Sequence, residues 1–144
     1  PLLDLPGANF VSLQVRARSP APTLADWTGE IEDFADTAAL VAALDLVIGV
    51  DTASVHLAGA LGKPVWLLNR FDSCWRWLRD RPDSPWYPTL RQFRQASPGD
   101  WAGVIGAVRS ALAAVLAAAP QTGPPRITLP PHRVMTARAP TGRA

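Results

Sequence analysis

The chain has 144 residues, of which 48% are hydrophobic and 18% charged, a length and balance that suit one globular domain and exclude a disordered chain. The formal net charge is only +2, and Arg126, Arg133, Arg138 and Arg143 sit in a Pro-rich tail; the isoelectric point near 9.4 therefore describes no folded basic face, and a nucleic-acid partner is not expected. The single cysteine, Cys74, excludes an internal disulfide and a cysteine-rich metal site, and with no signal-peptide pattern and no uninterrupted apolar run of bilayer length the expected setting is cytoplasmic, without a transmembrane segment.

The chain opens on Pro1-Leu-Leu-Asp rather than Met, as a fragment would, and residues 2–7 read as a helix end and turn. Residues 10–15 are β-branched or aromatic between turn formers and predict a strand. A Pro-containing loop is expected over 16–22, and a weak extended piece over 29–33. Residues 36–44 predict a helix with Asp36 as its N-cap. Residues 45–50 follow as a continuous apolar run, the pattern of a parallel strand buried on both faces. A second helix is expected over 54–61, stopped by Gly62 with Pro64 just beyond, and then a short buried strand over 65–68. The Trp-rich stretch 71–87 is too irregular for one regular element. Residues 90–93 read as an edge strand and 101–118 as a closing helix, with Val104, Val108 and Leu112 at helical spacing. The order is β-α-β-α-β with short connections, which predicts an α/β fold: a Rossmann-like parallel sheet with helices on both faces. The expected organisation is one domain over residues 1–119, incomplete at its amino end, and a Pro-rich disordered tail over 120–144.

The informative stretch is residues 47–65, Val-Ile-Gly-Val-Asp-Thr-Ala-Ser-Val-His-Leu-Ala-Gly-Ala-Leu-Gly-Lys-Pro-Val. It is a buried strand that turns tightly into a helix, and in open α/β sheets ligands bind beyond the carboxyl ends of the strands. The first helical residues carry unpaired N–H groups, and the helix dipole favours negative charge there. Thr52, Ala53 and Ser54 are thus candidate donors to a phosphate. Asp51 would repel a phosphate; its candidate roles are capping the helix and accepting hydrogen bonds from sugar hydroxyls. His56 is placed to donate to a ligand oxygen, or else is a satisfied histidine beside the sheet. On this placement Thr52→Pro harms nucleotide binding less than Ser54→Pro, because proline is tolerated at the first helical position. Strand-turn-helix units occur throughout α/β proteins, so Asp-Thr-x-x-x-His alone is compatible with mere structure.

The whole run Asp51-Thr-Ala-Ser-Val-His-Leu-Ala-Gly-Ala-Leu-Gly-Lys-Pro-Val65 resembles the signature of the heptosyltransferase-like glycosyltransferases, family 9. The pieces Asp33-Phe-Ala-Asp-Thr-Ala-Ala-Leu-Val-Ala-Ala-Leu44, Trp75-Arg-Trp-Leu78, Asp83-Ser-Pro-Trp-Tyr-Pro88, Leu90-Arg-Gln-Phe-Arg-Gln95 and Gly99-Asp-Trp101 resemble the bacterial branch in which tetratricopeptide repeats precede such a domain. The resemblance implies the carboxy-terminal, donor-binding half of a GT-B fold and transfer of a sugar from a nucleoside diphosphate without a metal or other cofactor. It also implies that Asp51, Thr52, Ala53 and His56 lie at the donor's diphosphate and sugar. Ala53 stands where many members have glycine. The family's first carboxy-domain strand and its amino-terminal acceptor domain, which carries the general base, are expected upstream, so this piece alone is expected to be inactive.

Arg76, Arg79 and Arg81 lie after the 65–68 strand on the same sheet edge and are candidate diphosphate clamps, with a solvated loop as the bland alternative. Asn69 and Asp72 are candidate sugar ligands. Trp75, Trp77, Trp86 and Tyr87 are candidate base-stacking residues, more ordinarily packing anchors. Lys63, beyond the far end of the helix, is not expected to be a ligand, and His132 in the tail is incidental. The competing function is a degenerate, non-catalytic transferase-like domain kept as a protein-interaction module. An unrelated nucleotide-binding Rossmann unit is disfavoured by the lack of a G-x-G-x-x-G fingerprint.

Overall fold

The structure, a computed structural model, describes residues 2–14 and 21–118. The expected tail over 120–144, including His132, lies outside the described residues, as do Val15 and most of the loop expected over 16–22.

The regular elements are α1 (Phe34–Ala43), β1 (Val47–Gly49), α2 (Ala53–Ala60), β2 (Val65–Asn69), β3 (Leu90–Arg94) and α3 (Trp101–Ala118). The three strands form a parallel sheet in the order β1-β2-β3, with Val47 opposite Val65 and Val65 opposite Leu90. Successive side chains of β2 point to opposite faces. Val65 and Leu67 pack with Val41 of α1, Val55 and Ala58 of α2, and Trp77. Trp66 and Leu68 pack on the other face with Phe93 and with Val104, Val108 and Leu112 of α3. Helices therefore cover both faces, and the chain is an α/β, Rossmann-like domain as expected.

The strand buried on both faces is β2, whose five residues are all buried. In β1 only Val47 is fully buried, and Val50, expected in the strand, is exposed beyond its end. The reason is position: β1 is an edge of the sheet among the described residues, and an apolar run does not say whether a strand has one neighbour or two.

Three local readings shift. Helix α1 begins two residues earlier than expected, and its N-cap is Asp33, not Asp36. Asp33 Oδ1 accepts from the Ala35 and Asp36 amides at 2.7 and 3.0 Å. Asp36 reaches back to the Asp33 amide and closes a capping box. The spacing Asp-x-x-Asp carried that signal. Asp33→Ala is accordingly expected to cost about 0.5–2 kcal/mol, more than Asp36→Ala, in urea unfolding. Equal losses would return the helix start to Asp36.

Of the extended piece expected over 29–33, Ile31 and Asp33 are extended, but its start is a 3-10 turn over Thr28–Glu30. Asp26 initiates it by accepting from the Thr28 hydroxyl at 2.6 Å and the Thr28 amide at 3.0 Å, and these bonds hold the Asp26 carboxyl below its ordinary pKa. The strand expected over 10–15 reduces to one parallel bridge between Val11 and Ala25. The ladder stops there because the Trp27 carbonyl, next in register, accepts from the Glu30 amide, and the Gln14 amide donates to Ser12 Oγ instead.

Helix α3 follows its expected bounds. It is also long and apolar enough, by length and composition, to cross a membrane. Its Val, Ile and Leu side chains contribute most of that apolarity, and Val104, Val108 and Leu112 among them form the stripe packed on the sheet.

Candidate functional site

Strand β1 ends at Gly49, and the chain turns through Val50, Asp51 and Thr52 into α2. The N-cap is Thr52, in an extended conformation with φ −141° and ψ 165°. Its hydroxyl donates to the Val50 carbonyl at 3.1 Å and does not cap the helix. The Thr52 carbonyl accepts the amides of Val55 and His56 at 3.1 and 3.3 Å, as the first intrahelical bonds. The amides of Ala53 and Ser54 are left without a protein acceptor among the described residues. Both residues line a cleft of about 440 Å³ whose other wall is formed by Leu13, Ile31, Glu32, Asp33, Phe34 and Thr37. Two donors at the positive end of a helix dipole thus face open space at the carboxyl end of a parallel strand.

The far end of α2 is closed. Gly62, at φ +70°, lets the chain reverse in a Schellman motif, with Lys63 N–H on the Ala58 carbonyl and Gly62 N–H on that of Gly59. Lys63 Nζ donates to the Ala42 carbonyl at the carboxyl end of α1, away from the Ala53–Ser54 cleft.

Asp51 and His56 lie on the other flank of the α2 N-terminus. Asp51 does not cap the helix; its Oδ1 is 3.1 Å from His56 Nε2. His56 Nδ1 is 2.9 Å from the Tyr87 hydroxyl, and its ring stacks on Trp77 at 5.1 Å between centroids. Both imidazole nitrogens are therefore engaged, so His56 has no nitrogen free to donate to a ligand in this arrangement.

The remaining candidates separate. Asn69 is buried, with its side-chain amide donating to Gln92 at 2.9 Å. Asp72 is paired with Arg70 at 2.8 Å on the surface. Arg76 is exposed and lies over the ring of Trp75, and Arg79 is exposed as well. Arg81 is held by Asp83 through two bonds of 2.7 Å, which lower the Asp83 carboxyl and raise the Arg81 guanidinium from their ordinary values. Among the aromatics, Trp77 is fully buried, whereas Trp75 and Trp86 are 72% and 56% exposed.

Sequence reasoning missed the support of this region. Gln92 of β3 donates to the carbonyls of Trp77 and Asp83, and Arg94 to that of Leu78. These bonds tie down a loop in which Leu78 and Asp80 hold the left-handed conformation that favours glycine. Polar residues buried in a short strand were the available signal.

A larger cavity, about 670 Å³, lies between the amino-terminal segment and the β1 edge, against Phe10, Leu44, Ile48, Trp66 and Leu112. Its lining is mainly apolar and includes neither the free amides nor the Asp51–His56 pair. Size alone would favour it; the convergence of donors favours the smaller cleft. Among the described residues no three His, Cys, Asp or Glu side chains converge on a point where a metal could sit.

Comparison with known proteins adds two findings. The model of glycosyltransferase family 9 (heptosyltransferase) matches residues 29–68, from the 3-10 turn through α1, β1 and α2 into β2. Protein FlbA of Caulobacter vibrioides is 36% identical over 124 residues, which covers 78% of this chain and 20% of that protein. The chain therefore spans about a fifth of the length of the curated relative it matches. No solved structure matches.

Proposed function

We propose that this chain is the donor-binding domain of a glycosyltransferase and holds a nucleoside diphosphate sugar at the N-terminus of α2. The match to the family 9 model over residues 29–68 supports a glycosyltransferase-type domain and includes the entire turn. The single observation that carries the finer reading is the pair of unaccepted amides at Ala53 and Ser54, open to a cleft beyond the carboxyl end of β1.

In this reading the diphosphate takes those amides. The carboxylates of Glu32 and Asp33 on the cleft wall repel phosphate oxygens and confine the polyanion to the helix end, while accepting from hydroxyls. Asp51, on the other flank, accepts a hydroxyl of the sugar. Transfer needs a general base in reach of the acceptor; the reading assigns it to an amino-terminal acceptor domain of a longer cytoplasmic protein of the tetratricopeptide-repeat branch, working without a metal.

The test is titration of the protein with UDP, GDP and ADP, followed by amide NMR and calorimetry. One nucleotide is expected to bind, with the Ala53 and Ser54 amide resonances moving most. No response to any of the three at millimolar concentration would remove the donor site. The exposure of Trp75 and Trp86 favours the second reading, a non-catalytic interaction module, and that reading takes over if nucleotides fail and the full-length protein has no acidic base facing the cleft.

A further inference from the structure

The loop between β2 and β3 braces one imidazole of α2. Tyr87, half-buried, sends its hydroxyl to His56 Nδ1 at 2.9 Å, and His56 Nε2 meets Asp51 Oδ1 at 3.1 Å. An ionised carboxylate only accepts, so the bond to Asp51 requires the imidazole proton on Nε2. Nδ1 of the neutral ring is then an acceptor, and the Tyr87 O–H is its donor. The chain of bonds runs one way, from Tyr87 O–H to Nδ1 and from Nε2–H to Oδ1.

Tyr87 sits in a fitted place. Gly59 lies three residues after His56, on the same face of α2. A Cβ at Gly59 would stand 2.6 Å from Tyr87 Cγ, so only the bare backbone admits the ring. Trp77 closes the other side, its plane 26° from that of the imidazole, while Tyr87 meets His56 edge-on at 67°. Asp51 Oδ2 has no protein partner among the described residues.

We propose that Tyr87 is a positioning residue of the donor site: acting through His56, it pins one oxygen of Asp51 and leaves the other fixed as the acceptor for a hydroxyl of the transferred sugar. This rests on the donor-site reading above. It also assigns Tyr87 a role other than base stacking, and it separates sugar recognition from phosphate recognition, because the relay reaches Asp51 and none of the amides at Ala53 and Ser54.

The experiment compares wild type with Tyr87→Phe, which keeps the ring and removes the hydroxyl. Imidazole ¹⁵N NMR in alkaline buffer reads the His56 tautomer without ligand. Wild type is expected to show one tautomer, protonated at Nε2, and Tyr87→Phe to populate the second as Nδ1 loses its donor. With UDP-glucose, GDP-mannose and ADP-glucose as probes, the variant is expected to bind the preferred nucleotide sugar about threefold to tenfold more weakly and the matching nucleoside diphosphate as wild type does. Gly59→Ala, which displaces the ring, should give the same split; should it fail to fold, Tyr87→Phe still decides.

A wild-type proton on Nδ1 overturns the proposal. So does an unchanged affinity for the nucleotide sugar in Tyr87→Phe, or an equal loss for sugar and diphosphate, the mark of a merely structural role. If instead the tautomer responds as expected but wild type binds no nucleotide, the relay stands and the donor-site reading falls.

Discussion

Trp77→Ala is expected to lower the unfolding free energy by about 3–5 kcal/mol, the range for deleting a fully buried tryptophan. Trp77 is inaccessible to solvent and packs in the cluster of Val41, Val55, Val65, Leu67 and Leu90. It comes from a 3-10 turn over Trp75–Trp77 in the connection between β2 and β3, yet it packs against both α-helices of that face and the central strand. Native domains hold roughly 5–15 kcal/mol in reserve, so the variant is expected near the limit of folding, with a lower urea midpoint at unchanged slope. Trp77 Nε1 is buried without an acceptor. Trp77→Phe removes that unsatisfied donor along with part of the volume and should cost clearly less. A loss under about 1 kcal/mol for Trp77→Ala would show that the loop is not part of the core.

Ala53→Pro is expected to weaken nucleoside diphosphate binding about tenfold to a hundredfold while the fold survives, the cost of one hydrogen bond to a charged group. Proline is favoured at the first helical position and needs an extended residue before it. Ala53 is that first position, and Thr52 before it is extended at φ −141°, ψ 165°. The substitution therefore deletes one amide facing the cleft with little conformational penalty. The sequence placed this tolerant position at Thr52, one residue too early. There proline is incompatible, because its ring fixes φ near −65°, far from the observed −141°, and Thr52→Pro should destabilise the turn. Ser54→Pro should unwind the first turn, because it drives Ala53 out of the helical region. Calorimetry paired with thermal melting separates the cases. Wild-type affinity in a folded Ala53→Pro protein would mean that the amides do not hold the phosphates.

Local chemistry wrote much of this architecture into the chain. Apolar runs between turn formers marked β1 and β2, Gly62 stopped α2, and the spacing of Val104, Val108 and Leu112 marked α3, because each signal is carried within a few neighbouring residues. The turn that presents the Ala53 and Ser54 amides was legible for the same reason. What one strand's neighbours are, and hence that β2 and not β1 is buried on both faces, depends on pairing between segments far apart in the chain. The same holds for the partners of His56. Tyr87 follows it by 31 residues, with no periodicity linking the two, and only the passage of the Trp-rich loop over the bare backbone of Gly59 brings the hydroxyl to the imidazole. Sequence by itself determined an α/β scaffold with helix-end donors beyond a parallel strand. Tertiary structure alone decided which side chains stand around those donors, since packing joins residues that no local rule connects.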